Sequence, residues 1–225
     1  MSEQNVVHGI VKDEELTLNL PDLVSKKKLI KYQRGEMAFD SYDTMNYFYF
    51  VMSGKIKISQ INSKNAKEQT INILTRGDMF DTVTLLDGKE HDYISTVIEE
   101  SEVVEVPIAH VRELIENDSA FKSFFFPYLA KQMRQIEDLA VDLSLYDVYN
   151  RLLRLIGRNI DKTKNVTKLN LIDNLSHEEL ASLVGSVRKV VNRNLQKLKE
   201  EGVIELSRKH IKLKNLQDLL EKLKY

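Results

Sequence analysis

Cysteine is absent from this 225-residue sequence. That excludes disulfides, thiolate nucleophiles, cysteine-ligated iron–sulfur clusters and every cysteine-based zinc finger. Proline (three) and glycine (eight) are scarce, which argues against long disordered linkers, and no repeat or low-complexity tract interrupts the chain. Long apolar runs are missing too. Stretches such as Tyr47 to Met52 fall far short of the roughly 20 residues that a membrane-spanning helix needs. The N-terminal region, with Glu3, Asp13, Glu14 and Glu15, has no basic flank followed by an apolar run. Neither a secretory leader nor a membrane partner is therefore expected, and the cytoplasm is the expected compartment. The five histidines (His8, His91, His110, His177, His210) are scattered, with no pair at ligand spacing, so no metal site and no metal-dependent barrel enzyme is expected. Neither a glycine-rich phosphate loop nor a nucleophile motif appears, and the chain reads as a non-enzyme.

What is present is an ordinary globular balance, 42% hydrophobic and 30% charged, with its charge unevenly placed. Between Ser186 and Lys214 nine Lys and Arg face three acids, a local +6 in a chain of net charge −1. A basic module on an acidic body is the layout of a phosphate-binding tail, although a solvated Lys/Arg surface would give the same count. The residues inside the run have to decide.

The first hundred residues read as strands. Tyr47 to Met52 is aromatic and β-branched, Ser53-Gly54 breaks it, and Lys55 to Ile61 resumes with strict alternation. The pattern predicts a hairpin with Ile56, Ile58 and Ile61 or their neighbours turned to a core. Thr70 to Leu74 is a further strand, closed by Arg76-Gly77-Asp78. Tyr93 to Ile98 and Val103 to Val106 follow, separated by an acidic turn at Glu99 to Ser101. Many short strands with regular turn signals suggest a sandwich or barrel.

The middle is helical. A short helix spans Ala109 to Glu116, then a long one runs from about Ser119 to Leu145. On it Phe125, Leu129, Gln132, Ile136, Leu139, Leu143 and Tyr146 fall at alternating steps of four and three, a heptad seam with one polar position. Such a stripe pairs with a second copy of itself or packs on the barrel. A single polar residue in a seam, here Gln132, is a known device for fixing register and partner number.

The last third is also helical. Asp147 to Asn159 places Val148, Leu152, Leu155 and Ile156 at helical spacing. Ser176-His-Glu-Glu179 is a capping box ahead of Leu180, Ala181, Leu183 and Val184. Gly185 suits a tight turn and Ser186 can cap the next helix. That helix sets Val187, Val190, Val191, Leu195 and Leu198 on one side and Arg188, Lys189, Asn192, Arg193 and Gln196 on the other. Arg grips guanine in a bidentate way, Asn or Gln grips adenine, and the N-terminal part of such a helix enters the major groove. Gly202 to Leu213 then reads as a two-stranded wing with its turn at Ser207 to Lys209. Arg208, Lys209, His210 and Lys212 would lie beside the duplex backbone, where contacts position rather than specify. A capping box, a glycine turn, a polar face and a basic wing in this order point to a winged helix-turn-helix.

With these segments in place, the chain resembles the Crp/Fnr family of bacterial transcription regulators over nearly its full length. The resemblance lies in Arg34-Gly35-Glu36, in Phe48 to Lys57, in Gly77-Asp78, in the hinge-like stretch Asp147 to Leu152, and in Leu180 to Arg193. It implies an α+β architecture: an N-terminal cyclic-nucleotide-binding-like β-barrel of jelly-roll type, a long dimerisation helix and a C-terminal winged helix-turn-helix. The expected boundaries are 1–118, 119–146 and 147–225. The family's recognition segment has the form G-x-S-R-E-T-V-S-R, and here reads Gly185-Ser-Val-Arg-Lys-Val-Val-Asn-Arg193. Both arginines match, which implies that Arg188 reads a guanine and Arg193 a base or phosphate. Lys189 replaces the glutamate and cannot accept from cytosine, so the half-site is expected to differ from the usual one.

The resemblance also implies an effector cassette after Gly77-Asp78. Cyclic-nucleotide binders of this class use a Gly-Glu pair for the ribose and Arg-Ser or Arg-Thr for the cyclic phosphate. Here Asp81 or Thr82 stands where the glutamate belongs, and His91-Asp92 takes the arginine–serine place. An aspartate repels a phosphate and neutral histidine offers one donor where arginine offers five, so cyclic AMP binding by the usual mode is not expected. The iron–sulfur route is closed for lack of cysteine. A haem-responsive branch leaves His91 or another histidine as a ligand, although a lone histidine is more often a hydrogen-bonded residue, and no cofactor is expected. Two readings stay open. Either the barrel binds another small molecule through Phe80, Asp81, Thr82, His91, Asp92 and the helix residues Ile136 and Glu137, or it binds nothing. The function expected is a homodimeric, sequence-specific regulator of a two-fold related DNA site that meets RNA polymerase, with Asp147 as the hinge.

Overall fold

A computed structural model of the chain describes residues 28–160, 169, 171–207 and 210–223. The strands β1 (Lys28–Tyr32), β2 (Tyr47–Asn62), β3 (Lys67–Leu74), β4 (Met79–Phe80) and β5 (Ile94–Pro107) form an antiparallel sheet in the order β1-β5-β2-β3, with β4 pairing β2. Two short helices, α1 (Ser41–Asn46) and α2 (Thr82–Asp87), lie between strands. Alternation along β2 divides its side chains between two cores. Tyr49 and Val51 join Phe39, Ile56, Ile58, Leu74, Phe80, Val97 and Val103 inside the jelly roll. Phe48 and Phe50 turn the other way, towards α3 (Ile108–Asn117) and the start of α4 (Ser119–Leu145).

The expected hairpin at Ser53-Gly54 does not form: β2 runs straight through it. The expected acidic turn at Glu99 to Ser101 is likewise continuous within β5. The two breaks face each other as register shifts, Val51 opposite Val103 but Lys55 opposite Glu99. Gly54 has φ +84°, and a Cβ there would lie 2.2 Å from the Glu100 carbonyl oxygen. Both sequence signals therefore mark bulges that bend a long two-stranded ribbon rather than reversals of the chain. Ile56 and Ile58 are buried as expected, whereas Ile61 is exposed.

Asp118 caps α4, its carboxylate accepting from the Phe121 amide at 2.9 Å. The first turns of α4 belong to the barrel. Phe121, Phe125 and Tyr128 are buried against Phe48, Phe50 and Met79, and the Tyr128 hydroxyl accepts from the Met79 amide and donates to its carbonyl. Burying each of these rings contributes about 1.5–3 kcal/mol. This corrects the expected seam. Phe125 is 0% exposed in the intramolecular core, Leu129 packs on the same cluster, and Gln132 accepts from Asn72 of β3 at 3.0 Å. Among the apolar side chains that α4 leaves open, Phe126, Met133, Ile136 and Leu143 form a line one residue round the helix at its start, and Val141 and Leu145 are exposed as well. The heptad spacing is real, but docking on the barrel takes its first positions.

After α4, helices α5 (Val148–Arg158), α6 (His177–Leu183), α7 (Arg188–Glu200) and α8 (Leu216–Lys222) and the ribbon β6 (Ile204–Ser207) with β7 (His210–Leu213) share one core. Ile73 and Ile98 of the barrel are part of that core. Asp147 caps α5 through the Asn150 amide. The α4–α5 corner is also clamped ionically: buried Asp142 takes Arg154 at 2.5 Å and also Arg158, while Arg154 lies over the Tyr146 ring. No helix among the described residues is long and apolar enough to cross a membrane.

Candidate nucleic-acid interface and effector site

The capping box forms as its sequence dictates. The Ser176 amide donates to Glu179 and the Glu179 amide to the Ser176 hydroxyl. Gly185, at φ +63°, makes the turn between α6 and α7, and the Ser186 amide closes it on the Ala181 carbonyl at 2.9 Å. Ser186 does not cap α7. The N-cap is Val187, which makes no side-chain bond and is exposed rather than part of the apolar side. Satisfying Ala181 draws Ser186 into the turn and moves the helix start one residue on.

Val191, Leu195 and Leu198 bury one side of α7 against Leu180, Ala181, Val184 and Leu152. The opposite side therefore has to face outward. Arg188, Lys189, Arg193 and Gln196 are exposed and Asn192 is half-buried at the edge of that face. The wing pairs Ile204 with Leu213 and Ser207 with His210, and His210 Nδ1 holds the Asp173 carboxylate at 2.8 Å. Arg208 and Lys209 lie outside the described residues.

At the cassette, the polar residues bond one another. Asp81, 3% exposed, caps α2: its Oδ1 accepts from the Val83 amide, and Oδ2 accepts from the Thr84 hydroxyl and meets His91 Nδ1 at 3.0 Å. That hydrogen bond raises the His91 pKa above its ordinary 6.5, against the opposing effect of burial. Phe80 stacks on Phe39 and meets the Tyr93 ring edge-on. Thr82 is half-buried, and Asp92 is exposed with its carbonyl accepting from Gln60. Ile136 and Glu137 stand exposed on α4, so the structure brings together Phe80, Asp81 and His91 but not these two helix residues. Among the described residues, no three His, Asp or Glu cluster as metal ligands would.

The profile of the cyclic nucleotide-binding domain matches residues 29–118, and that of the Crp-like helix-turn-helix domain matches residues 148–222. The chain belongs to the Crp/Fnr family. It is a transcription regulator with a DNA-binding helix-turn-helix. Among its relatives, the CRP-like cAMP-activated global transcriptional regulator of Mycobacterium tuberculosis is 24% identical over 199 residues, covering 88% of each chain. The cyclic AMP receptor protein of Thermus thermophilus is 28% identical over 211 residues, covering 92% of this chain and 90% of its own. In fold, a mutant of CooA from Carboxydothermus hydrogenoformans superposes with a TM-score of 0.74 at 21% identity, over 88% of each chain.

Sequence reasoning missed two sets of residues in this regulator. The first is the Asp142–Arg154–Arg158 clamp, signalled only by two arginines one helical turn apart on the polar side of α5. The second is the contact of Gln69 and Thr70 with the turn after α6, for which an ordinary polar strand end gave no signal.

Proposed function

We propose that the regulator binds as a homodimer to a two-fold related site in double-stranded DNA. Arg188, Lys189, Asn192, Arg193 and Gln196 face base edges and phosphates, and Ser186, Arg208 and Lys209 contact the backbone. The observation that carries this reading is the division of α7. One side is locked in the core, while four long polar side chains over its first three turns stay exposed. The second copy covers the open line Phe126, Met133, Ile136 and Leu143, and RNA polymerase is the protein met at the promoter. The working division of the chain is 1–118, 119–146 and 147–225.

In the barrel, Asp81 at the place of the ribose-binding glutamate and His91 at the place of the phosphate-binding arginine bond each other rather than a ligand. Cyclic AMP does not bind there in the usual mode, and no cofactor is assigned. The alternative is a cyclic-nucleotide- or haem-responsive regulator with a non-standard pocket: the first part draws support from the relatives named for cyclic AMP, the second from His91 as the residue that would hold the iron.

The test is binding to duplexes selected from a random-sequence pool. Affinity should fall steeply as salt rises while a sequence-selective remainder persists. Arg188→Ala should cost about 1–3 kcal/mol of specific binding and relax the preference at one base pair. Equal affinity for selected and scrambled duplexes, or an unchanged preference in Arg188→Ala, would refute the assignment.

A further inference from the structure

Three parts of the chain that are distant in sequence converge on the turn between α6 and α7. Thr70 of β3 and Ser182 of α6 are both buried, with their hydroxyl oxygens 2.7 Å apart. The Ser182 hydroxyl already donates to the Glu179 carbonyl at 2.9 Å. It has one proton, so at this contact Thr70 donates and Ser182 accepts. The neighbouring Gln69 amide donates to the Ser182 carbonyl at 3.0 Å and approaches that of Leu183 at 3.4 Å. These carbonyls close the last turn of α6, where a helix leaves acceptors unmatched. The barrel thus helps cap a helix of the DNA-binding domain.

The packing is equally close. A Cβ on Gly185 would lie 2.5 Å from Leu143 of α4 and 2.8 Å from the Gln69 side-chain oxygen. One strand also reaches both neighbours. Ser59 faces Thr70 but Ile58 faces Asn72, so Ile71 is an extra residue in the ladder, and a bulge re-aims the side chains on either side of it. Before the bulge, β3 bonds the helix-turn-helix. After it, Asn72 bonds Gln132 on α4 and Ile73 enters the core of the DNA-binding domain. At the rim, Arg34 stands 3.9 Å from Glu179 and Lys55 donates to the Asp173 carbonyl.

We propose that β3 is a positioning strap: Gln69 and Thr70 fix the turn of the helix-turn-helix against the barrel and so set the separation of the two recognition helices in the dimer. The proposal rests on the two-fold DNA reading above. A dimer gains from its second recognition helix according to the effective concentration at which the first presents it, and that falls when the geometry loosens. Neither residue belongs to the exposed side of α7, and both bond α6 instead, so binding of one helix to one half-site does not depend on the strap.

The test uses the full-length chain and a duplex selected from a random-sequence pool, beside the same duplex with one half scrambled. Gln69→Ala and Thr70→Val should each weaken binding to the full duplex roughly three- to tenfold. Binding to the half-scrambled duplex should stay within about twofold, and tolerance to one inserted base pair between the halves should rise. Thr70→Ser, which keeps the hydroxyl, should restore the full-duplex affinity. Equal losses on both duplexes, full-site affinity that is unchanged or raised, or no rescue by Thr70→Ser would overturn the strap. A wild-type protein that does not prefer the full duplex to the half-scrambled one would instead overturn the dimeric DNA reading.

Discussion

The two ends of this regulator use similar side chains in opposite ways. Over the first three turns of α7, guanidinium, ammonium and amide groups stand in solvent while the far side of the helix is held by Val191, Leu195 and Leu198. At the cassette between β4 and β5, carboxylate, imidazole and hydroxyl groups bond one another, and the adjacent rings of Phe39, Phe80 and Tyr93 stack within the barrel. The first arrangement leaves hydrogen-bonding capacity for an external partner. The second uses that capacity to hold the fold, as buried polar groups must. Substitutions on α7 should therefore weaken binding and leave stability nearly untouched. Substitutions at the cassette should do the reverse.

The largest effect is expected where the free surface is apolar. Met133 is 65% and Ile136 56% exposed on α4, and in the proposed dimer a carboxylate at either would be stranded between the two copies. Met133→Glu combined with Ile136→Glu should give a monomer by sedimentation and lower affinity for the full selected duplex about 10²–10⁴-fold, the gain that bivalency supplies. A double variant that remains dimeric would move the dimer contact off this stripe.

Next is the cassette itself. Asp81→Ala removes the cap of α2, one acceptor of the buried Thr84 hydroxyl and the partner of His91 at once. The Thr84 hydroxyl keeps the Lys89 carbonyl as an acceptor at 3.0 Å, so loss of the cap and of the bond to His91 should cost about 1–3 kcal/mol of unfolding free energy in urea. The folded fraction should bind the selected duplex as wild type does. Gain of cyclic AMP binding or loss of DNA affinity without loss of stability would show that the carboxylate serves a ligand rather than the fold.

How far each region could be read from sequence follows the range of its interactions. The capping box was legible because Ser176 and Glu179 are three residues apart and bond only each other's backbone. The bounds of α4 were legible from its apolar period. Gly54 was not, because a positive φ serves a turn or a bulge equally, and only the facing Glu100 backbone separates the two. Choosing Phe126 over Phe125 as the open position needed the location of the barrel, since adjacent stripes of one heptad pattern look alike. Asp81 and His91 were visible as departures from a ligand cassette, but not as partners of each other. Thr70 and Ser182 are 112 positions apart, and nothing local in either segment hints at the other.

The smallest effect sharpens the contrast by pH. Hydrogen bonding to Asp81 raises the His91 pKa above 6.5, and Asp81, Asp87 and Asp92 add favourable charge against the cost of burial. The folded state therefore binds the proton more tightly than the unfolded state does. The resulting stabilisation is fully present below the unfolded value near 6.5 and is lost as pH rises through the higher folded value. Thermal unfolding should show wild type exceeding His91→Gln by a margin that shrinks on going from acid to alkaline conditions across that window. The ring is partly exposed to solvent, which limits the margin. Subtracting the variant removes the contributions of the other histidines. Affinity for DNA, read at constant salt, should change equally with pH in both proteins, because His91 bonds within the barrel and not to the reading face. A margin that grows with pH would mean that the imidazole is held neutral, and the carboxylate–imidazolium pair would not be what fills the cassette.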